Sequence, residues 1–128
     1  VCDVAVINHY YMAKMFKDAK QVPWAQAVNV IFPNQSGRGT HMNVSGVALT
    51  KHAPNKDNAI KLMEFLASET GQSLYAQKNT EYPVKPGILW SPLQYSWGNF
   101  KEDSLSLAAV ADNRAAAIKL ADEVKYND

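Results

Sequence analysis

At 128 residues, with 47% hydrophobic and 10% aromatic side chains, the chain has the apolar content of a globular domain and not that of a disordered segment. A formal net charge of +1 with dispersed basic residues gives no footprint for nucleic acid or another polyanion. No apolar run approaches the roughly 20 residues of a membrane span, and no charged start leading into an apolar core marks a signal peptide.

The opening VCDVAV lacks a methionine and reads as a strand entered part way, so a fragment or processed product of something longer is expected. Val4 to Ile7 form a near-continuous apolar run, which suits a strand from Val1 to Ile7 covered on both faces in a parallel sheet. The single Cys2 reads as a buried thiol or as half of a disulfide with a partner upstream. Asn8 is a reasonable cap for a short helix in which Met12, Met15 and Phe16 fall at helical spacing. Gln21 to Trp24 break that helix, and Val28 to Phe32, closed by Pro33, reads as a second strand.

PNQSGRGTH is a loop by composition, with Gly37 and Gly39 free to take positive φ. MNVSGVALT then reads as a strand in which Gly46 marks the close approach of a neighbouring backbone. The clearest helix starts at Pro54 and Asn55, with Ala59, Ile60, Met63, Phe65, Leu66 and Ala67 on a broad apolar face. Ser68 to Gly71 predict a break before a second helical piece that contains Leu74, Tyr75 and Ala76. Pro83 and Pro86 force EYPVKPG out of helical geometry. Trp90, Tyr95, Trp97 and Phe100 fall in an irregular aromatic segment, and the rest predicts two helices broken near Asp112 and Asn113. Strands mixed with helices in this way predict an α/β protein.

The usual catalytic signatures are missing. Ser45 lies beside a glycine without a nucleophile elbow, and SGRGTH lacks the spacing and lysine of a phosphate loop, which leaves it a turn with an odd arginine, Arg38, contact with an anion or a partner being the alternative. His9, His41, His52 and Cys2 do not follow a zinc spacing. Glu102 with Asp103 and Asp122 with Glu123 read as solvated helix charges. Nothing here argues for an enzyme.

Tyr10 and Tyr11 are the exception. Neighbours on a regular strand face opposite sides, but at a strand-to-helix junction the backbone turns between them and adjacent side chains can converge. Such junctions at the carboxyl ends of parallel strands are where α/β sheets place ligands. Two phenol oxygens form a hard, potentially anionic site suited to a trivalent ion such as Fe(III). An ordinary phenol costs about 4 kcal/mol to ionise at neutral pH, which a monocation hardly offsets and a trivalent cation does. On the residues alone, core packing and an aromatic sugar platform stand beside metal ligation.

CDVAVINHYY, VNVIFPNQSGRGTHMNVSGVALTKHAPNKDNAIKLMEFLAS, YAQKNTEYPV and WGNFKEDSLSLAAVADNRAAAIKLADEV, in that order, resemble the periplasmic ferric-iron-binding proteins of bacterial ABC transporters. The resemblance covers essentially the whole chain and the C-terminal third or more of such a protein. It implies part of a two-lobed, type II Venus-flytrap protein whose chain crosses between lobes. Residues 1–40 would end the second lobe, 41–87 return to the first, and 88–128 form C-terminal helices that pack back on the second.

By the same resemblance Tyr10 and Tyr11 would supply phenolate ligands to Fe(III), with further ligands from the missing N-terminal part of the same protein. Asn8 would lie near a synergistic anion, and His9 would at most donate a hydrogen bond to a ligand or to that anion. The implied partner is the membrane permease of an ABC transporter, and the implied location is the periplasm or a lipid anchor outside the cytoplasmic membrane. Alternatives are a non-metal cargo such as an oxyanion, polyamine or sugar, an enzyme of similar fold, and an interaction module using the Trp90 to Phe100 segment.

Overall fold

A computed structural model describes residues 2–126. Two compact units divide the chain: Val1–Ile31 with Asn43–Asn99, and Phe32–Met42 with Phe100–Asp128.

In the first unit α1 (Tyr10–Lys17) buries Met12 and Ala13 and ends at Asp18, whose carboxylate accepts from the Lys20 N–H at 3.0 Å and the Gln21 amide at 2.6 Å. The short α2 (Val22–Gln26) carries Pro23 in its first turn, where the missing N–H would have no partner in any case. Helix α3 (Lys56–Ala67) follows Asn55 and half-buries Ala59, Met63 and Leu66, one stripe at helical spacing, while Ile60, Leu62 and Phe65 stay exposed.

Ser68 makes the break after α3. Its hydroxyl donates back to the Phe65 carbonyl at 2.6 Å and accepts from the Gly71 N–H at 3.1 Å, so one side chain ends α3 and caps α4 (Glu69–Leu74). A Cβ on Gly71 would stand 2.2 Å from the Phe65 carbonyl oxygen, so only glycine allows α4 to leave α3 at this angle. Buried Gln72 then donates to the Leu66 carbonyl at 2.8 Å and accepts from the Val84 N–H at 2.9 Å. The chain continues as a single π-helical stretch, Tyr75–Asn79, and leaves it through Thr80 in the left-handed region at φ 59°.

Helix α5 (Pro92–Ser96) forms inside the segment from Trp90 to Phe100 that was expected to be irregular. Its cap is reciprocal: the Gln94 side-chain oxygen accepts from the Ser91 N–H at 2.9 Å, while Ser91 Oγ accepts from the Gln94 N–H at 3.3 Å.

In the second unit Thr40 forms an isolated parallel bridge with Glu102, and Phe32 stacks on Phe100 with centroids 4.2 Å apart. Gly39 at φ 101° lies under this bridge, where a Cβ would meet the Glu102 carbonyl oxygen at 2.5 Å. Gly37 does not take positive φ; Asn34 does, at 58°. The unit ends in α6 (Leu107–Asp112) and α7 (Arg114–Glu123), broken at Asn113 as expected.

The expected strands do not form. Among the described residues no ladder is present at Asp3 to Ile7, Val28 to Phe32 or Met42 to Thr50, and Val1 lies outside the described residues. Val6 is 92% exposed, and Val4 and Ile31 are 80% exposed. The apolar pattern of a doubly covered strand is there, but a strand is completed by a paired neighbour, and the described residues supply none. Gly46 likewise has nothing within 4 Å of the place its Cβ would occupy, so the backbone approach expected there is absent. Among the described residues no helix is long and apolar enough to cross a membrane.

Candidate metal centre

Tyr10 and Tyr11 are the first two residues of α1. The carbonyls of Asn8 and His9 accept from the N–H groups of Tyr11 and Met12 at 3.1 and 3.0 Å, so the helical turn closes directly behind the tyrosine pair. Because Met12 and Ala13 take the buried face, Tyr10 is left half-buried and Tyr11 46% exposed. The two rings nevertheless meet, with centroids 4.7 Å apart and planes tilted by 45°.

The neighbouring Tyr11 side chain holds the Tyr10 phenol above its ordinary pKa of 10, partial burial adds to this, and the Asn8 amide works in the opposite direction. A relay supports that amide: Asn43 Nδ2 donates to Asn8 Oδ1 at 3.1 Å, and Asn8 Nδ2 donates to the Tyr10 hydroxyl at 3.2 Å. Lys14, one turn further along α1, lies 5.5 Å from the Tyr10 centroid and 5.2 Å from that of Tyr11.

His9 is tied to the Thr80 carbonyl, to which its Nε2 donates at 2.8 Å, and its ring meets Tyr82, Trp97 and Tyr10 with centroids at 4.8, 5.8 and 5.9 Å. Burial lowers its pKa below 6.5, with the Thr80 carbonyl and the Glu81 charge opposing, so the imidazole is neutral at pH 7. Lys17 adds a second tie from α1 to the π-helical stretch by donating to the Lys78 carbonyl.

Two adjacent phenols whose rings meet at 4.7 Å are a donor set suited to a hard, highly charged cation and a poor one for a soft ion. Among the described residues no group of three His, Cys, Asp or Glu side chains is placed to hold a metal. A groove of about 250 Å³ lined by Met12, Phe16, Ala25, Val28, Leu93 and Trp97 runs against α1 and includes neither tyrosine. With Tyr11 46% exposed and Tyr10 half-buried, the pair stands at the surface of its unit.

Other sequence candidates fall elsewhere. His41 and His52 are exposed, and Cys2 is free and exposed, not buried. Arg38 meets an internal carboxylate: its Nε lies 3.3 Å from Asp103 Oδ2, and the Asp103 side chain is only 7% exposed. Asp103 is thus no solvated helix charge; it precedes α6, accepts from the Leu105 N–H at 3.0 Å and anchors the 33–39 loop. Glu123 is solvated, in an exposed pair with Lys119 at 3.8 Å. The residues that sequence reasoning missed around the tyrosines are Lys14, Asn43, Thr80, Tyr82 and Trp97. Only Lys14 had a local signal, its spacing of four and three from the pair.

No family model matches the chain. Iron uptake protein A1 of Synechocystis sp. is 45% identical over 126 residues, covering 97% of this chain and 35% of that protein. The major ferric iron-binding protein of Neisseria meningitidis is 32% identical over 87 residues, 68% of this chain and 26% of the relative. The crystal structure of apo ferric ion-binding protein A from Pasteurella haemolytica matches 94% of this chain and 38% of its own, with a TM-score of 0.88 and 52% identity. The chain is homologous to bacterial ferric-iron-binding proteins. It spans about a third of the length of the first relatives it matches, 35% and 37%. A Trichodesmium relative named IdiA or FutA, solved in complex with iron and citrate, matches 92% of this chain and 38% of its own at a TM-score of 0.83 and 40% identity.

Proposed function

We propose that this chain supplies the phenolates of Tyr10 and Tyr11 to a ferric-ion site in a periplasmic or lipid-anchored binding protein, which hands the ion to the permease of an ABC transporter. The observation that carries this reading is the pair itself, two phenols whose rings meet at 4.7 Å at the first turn of α1, in a chain homologous to iron-uptake proteins.

The chemistry follows from the charge. As neutral phenols the pair repels nothing and binds cations weakly. A trivalent ion displaces both protons and turns the pair into two anionic oxygen ligands. Asn8, already aimed at the Tyr10 hydroxyl, would lie near a synergistic anion, and the iron and citrate of the Trichodesmium relative support an anion in the sphere. His9 would hold the start of α1 against Thr80.

An exposed pair needs ligands from a facing surface, which supports the two-lobed reading with closure over the ion. Acid or reduction to Fe(II) would weaken the phenolate bonds and release the cargo. The names of the relatives describe binding and uptake, and support a transport role over catalysis.

The test is a visible titration of the full-length parent with ferric citrate, beside Tyr10→Phe, Tyr11→Phe and the double variant. A phenolate-to-iron charge-transfer band that fades in each variant, with more than tenfold loss of affinity in the double variant, is the expected result. A colourless parent, or a double variant within tenfold of it, overturns the reading.

A further inference from the structure

We propose that Lys14 is a positioning residue for the tyrosine pair, its ammonium lying across the faces of both rings and holding them in the orientation in which their oxygens meet the cargo. This rests on the ferric reading above and deepens it.

Lys14 follows Tyr10 by four residues and Tyr11 by three, the two spacings that bring side chains together on one helical face. Its Nζ lies 5.5 and 5.2 Å from the two centroids, inside the roughly 6 Å range of cation–π attraction for both rings at once. Among the described residues no carboxylate forms an ion pair with it. The nearby Lys17, by contrast, is taken up by the Lys78 carbonyl. The ring faces are therefore the electron-rich surface that Lys14 meets.

This contact differs between the empty and loaded states, which is the requirement for a side chain to favour one of them. When the phenols become phenolates their rings carry more negative charge, and the attraction to the ammonium grows. The ferric charge is opposed by those phenolates and by the anions that complete its sphere. A cation on the ring faces also stabilises the electrons that a phenolate donates to Fe(III), so it sets the energy of the charge-transfer band. Removing it moves the band to longer wavelength.

The experiment uses the full-length protein with Lys14→Met and Lys14→Arg. In the metal-free wild type, NMR should show the Lys14 ε-protons shifted upfield by the ring currents, a readout that needs neither iron nor a variant. With ferric citrate, Lys14→Met should bind about threefold to tenfold more weakly and absorb at longer wavelength, and Lys14→Arg should restore both. Lys14 ε-protons at the ordinary lysine position overturn the proposal. So does a Lys14→Met protein whose band and affinity match the wild type while the wild type is coloured, an outcome that leaves the ferric reading intact. A colourless wild type overturns both.

Discussion

The imidazole of His9 donates from Nε2 to the carbonyl oxygen of Thr80 at 2.8 Å, joining positions 71 residues apart. The bond fixes the residue directly before Tyr10 to the residue that ends the π-helical stretch in left-handed geometry. Replacing His9 with alanine removes the donor, strands a carbonyl and takes a ring out of contact with Tyr82 and Trp97. A loss of about 1–3 kcal/mol is expected in urea unfolding of the protein, with glutamine recovering part of it.

The same imidazole sets an acid dependence. Its folded pKa lies below 6.5 because burial disfavours the charged ring. The unfolded chain therefore takes up the proton first as pH falls, and the stability that His9 contributes is complete above pH 6.5 and lost as pH drops through the folded pKa. Urea midpoints measured from pH 7.5 down to 5 should fall more steeply for the wild type than for His9→Gln. Parallel curves would show that His9 carries no such linkage.

The helices were legible because their signals are local. Met12, Met15 and Phe16 mark α1, Ala59, Met63 and Leu66 mark α3, and the break at Ser68 can be read from one serine followed by a glycine. Helix α5 was missed even though Ser91 and Gln94 have the spacing of a capping box, because Trp90, Tyr95, Trp97 and Phe100 drew the reading toward an irregular aromatic segment. The strand expectations rest on Val4, Val6 and Ile31, whose pattern states that they would be covered without stating by what. At the candidate site the tyrosine pair was visible in the sequence. Its surroundings were not, since Thr80, Tyr82, Trp97 and Asn43 reach Asn8 and His9 from far along the chain.

Tyr82 gives the alkaline counterpart. Burial raises its phenol to about 12, against 10 in an unfolded chain. Its contribution to stability is whole below pH 10 and is lost as pH rises from 10 through 12, where the unfolded chain is ionised and the folded one is not. In a spectrophotometric titration one phenol should ionise late, near pH 12 or together with alkaline unfolding, and Tyr82→Phe should remove it. A titration whose late phase is unchanged by Tyr82→Phe would contradict the burial of that phenol.

Gly71 and Gly46 separate backbone crowding from helix propensity. Alanine is favoured over glycine inside a helix by about 1 kcal/mol, so Gly71→Ala in α4 would be stabilising if propensity alone decided. The added Cβ would instead stand 2.2 Å from the Phe65 carbonyl oxygen and 2.9 Å from that of Leu66, and both are backbone atoms that move only if α3 and α4 reorient. Crowding wins, and a loss of about 1–3 kcal/mol is expected. At Gly46, with open space around the Cβ position and no positive φ, alanine should be neutral or gain up to about 1 kcal/mol by reducing the freedom of the unfolded chain. Urea unfolding of the two variants beside the wild type decides the matter: a Gly71→Ala protein as stable as Gly46→Ala would mean that the α3–α4 junction is not the close contact described here.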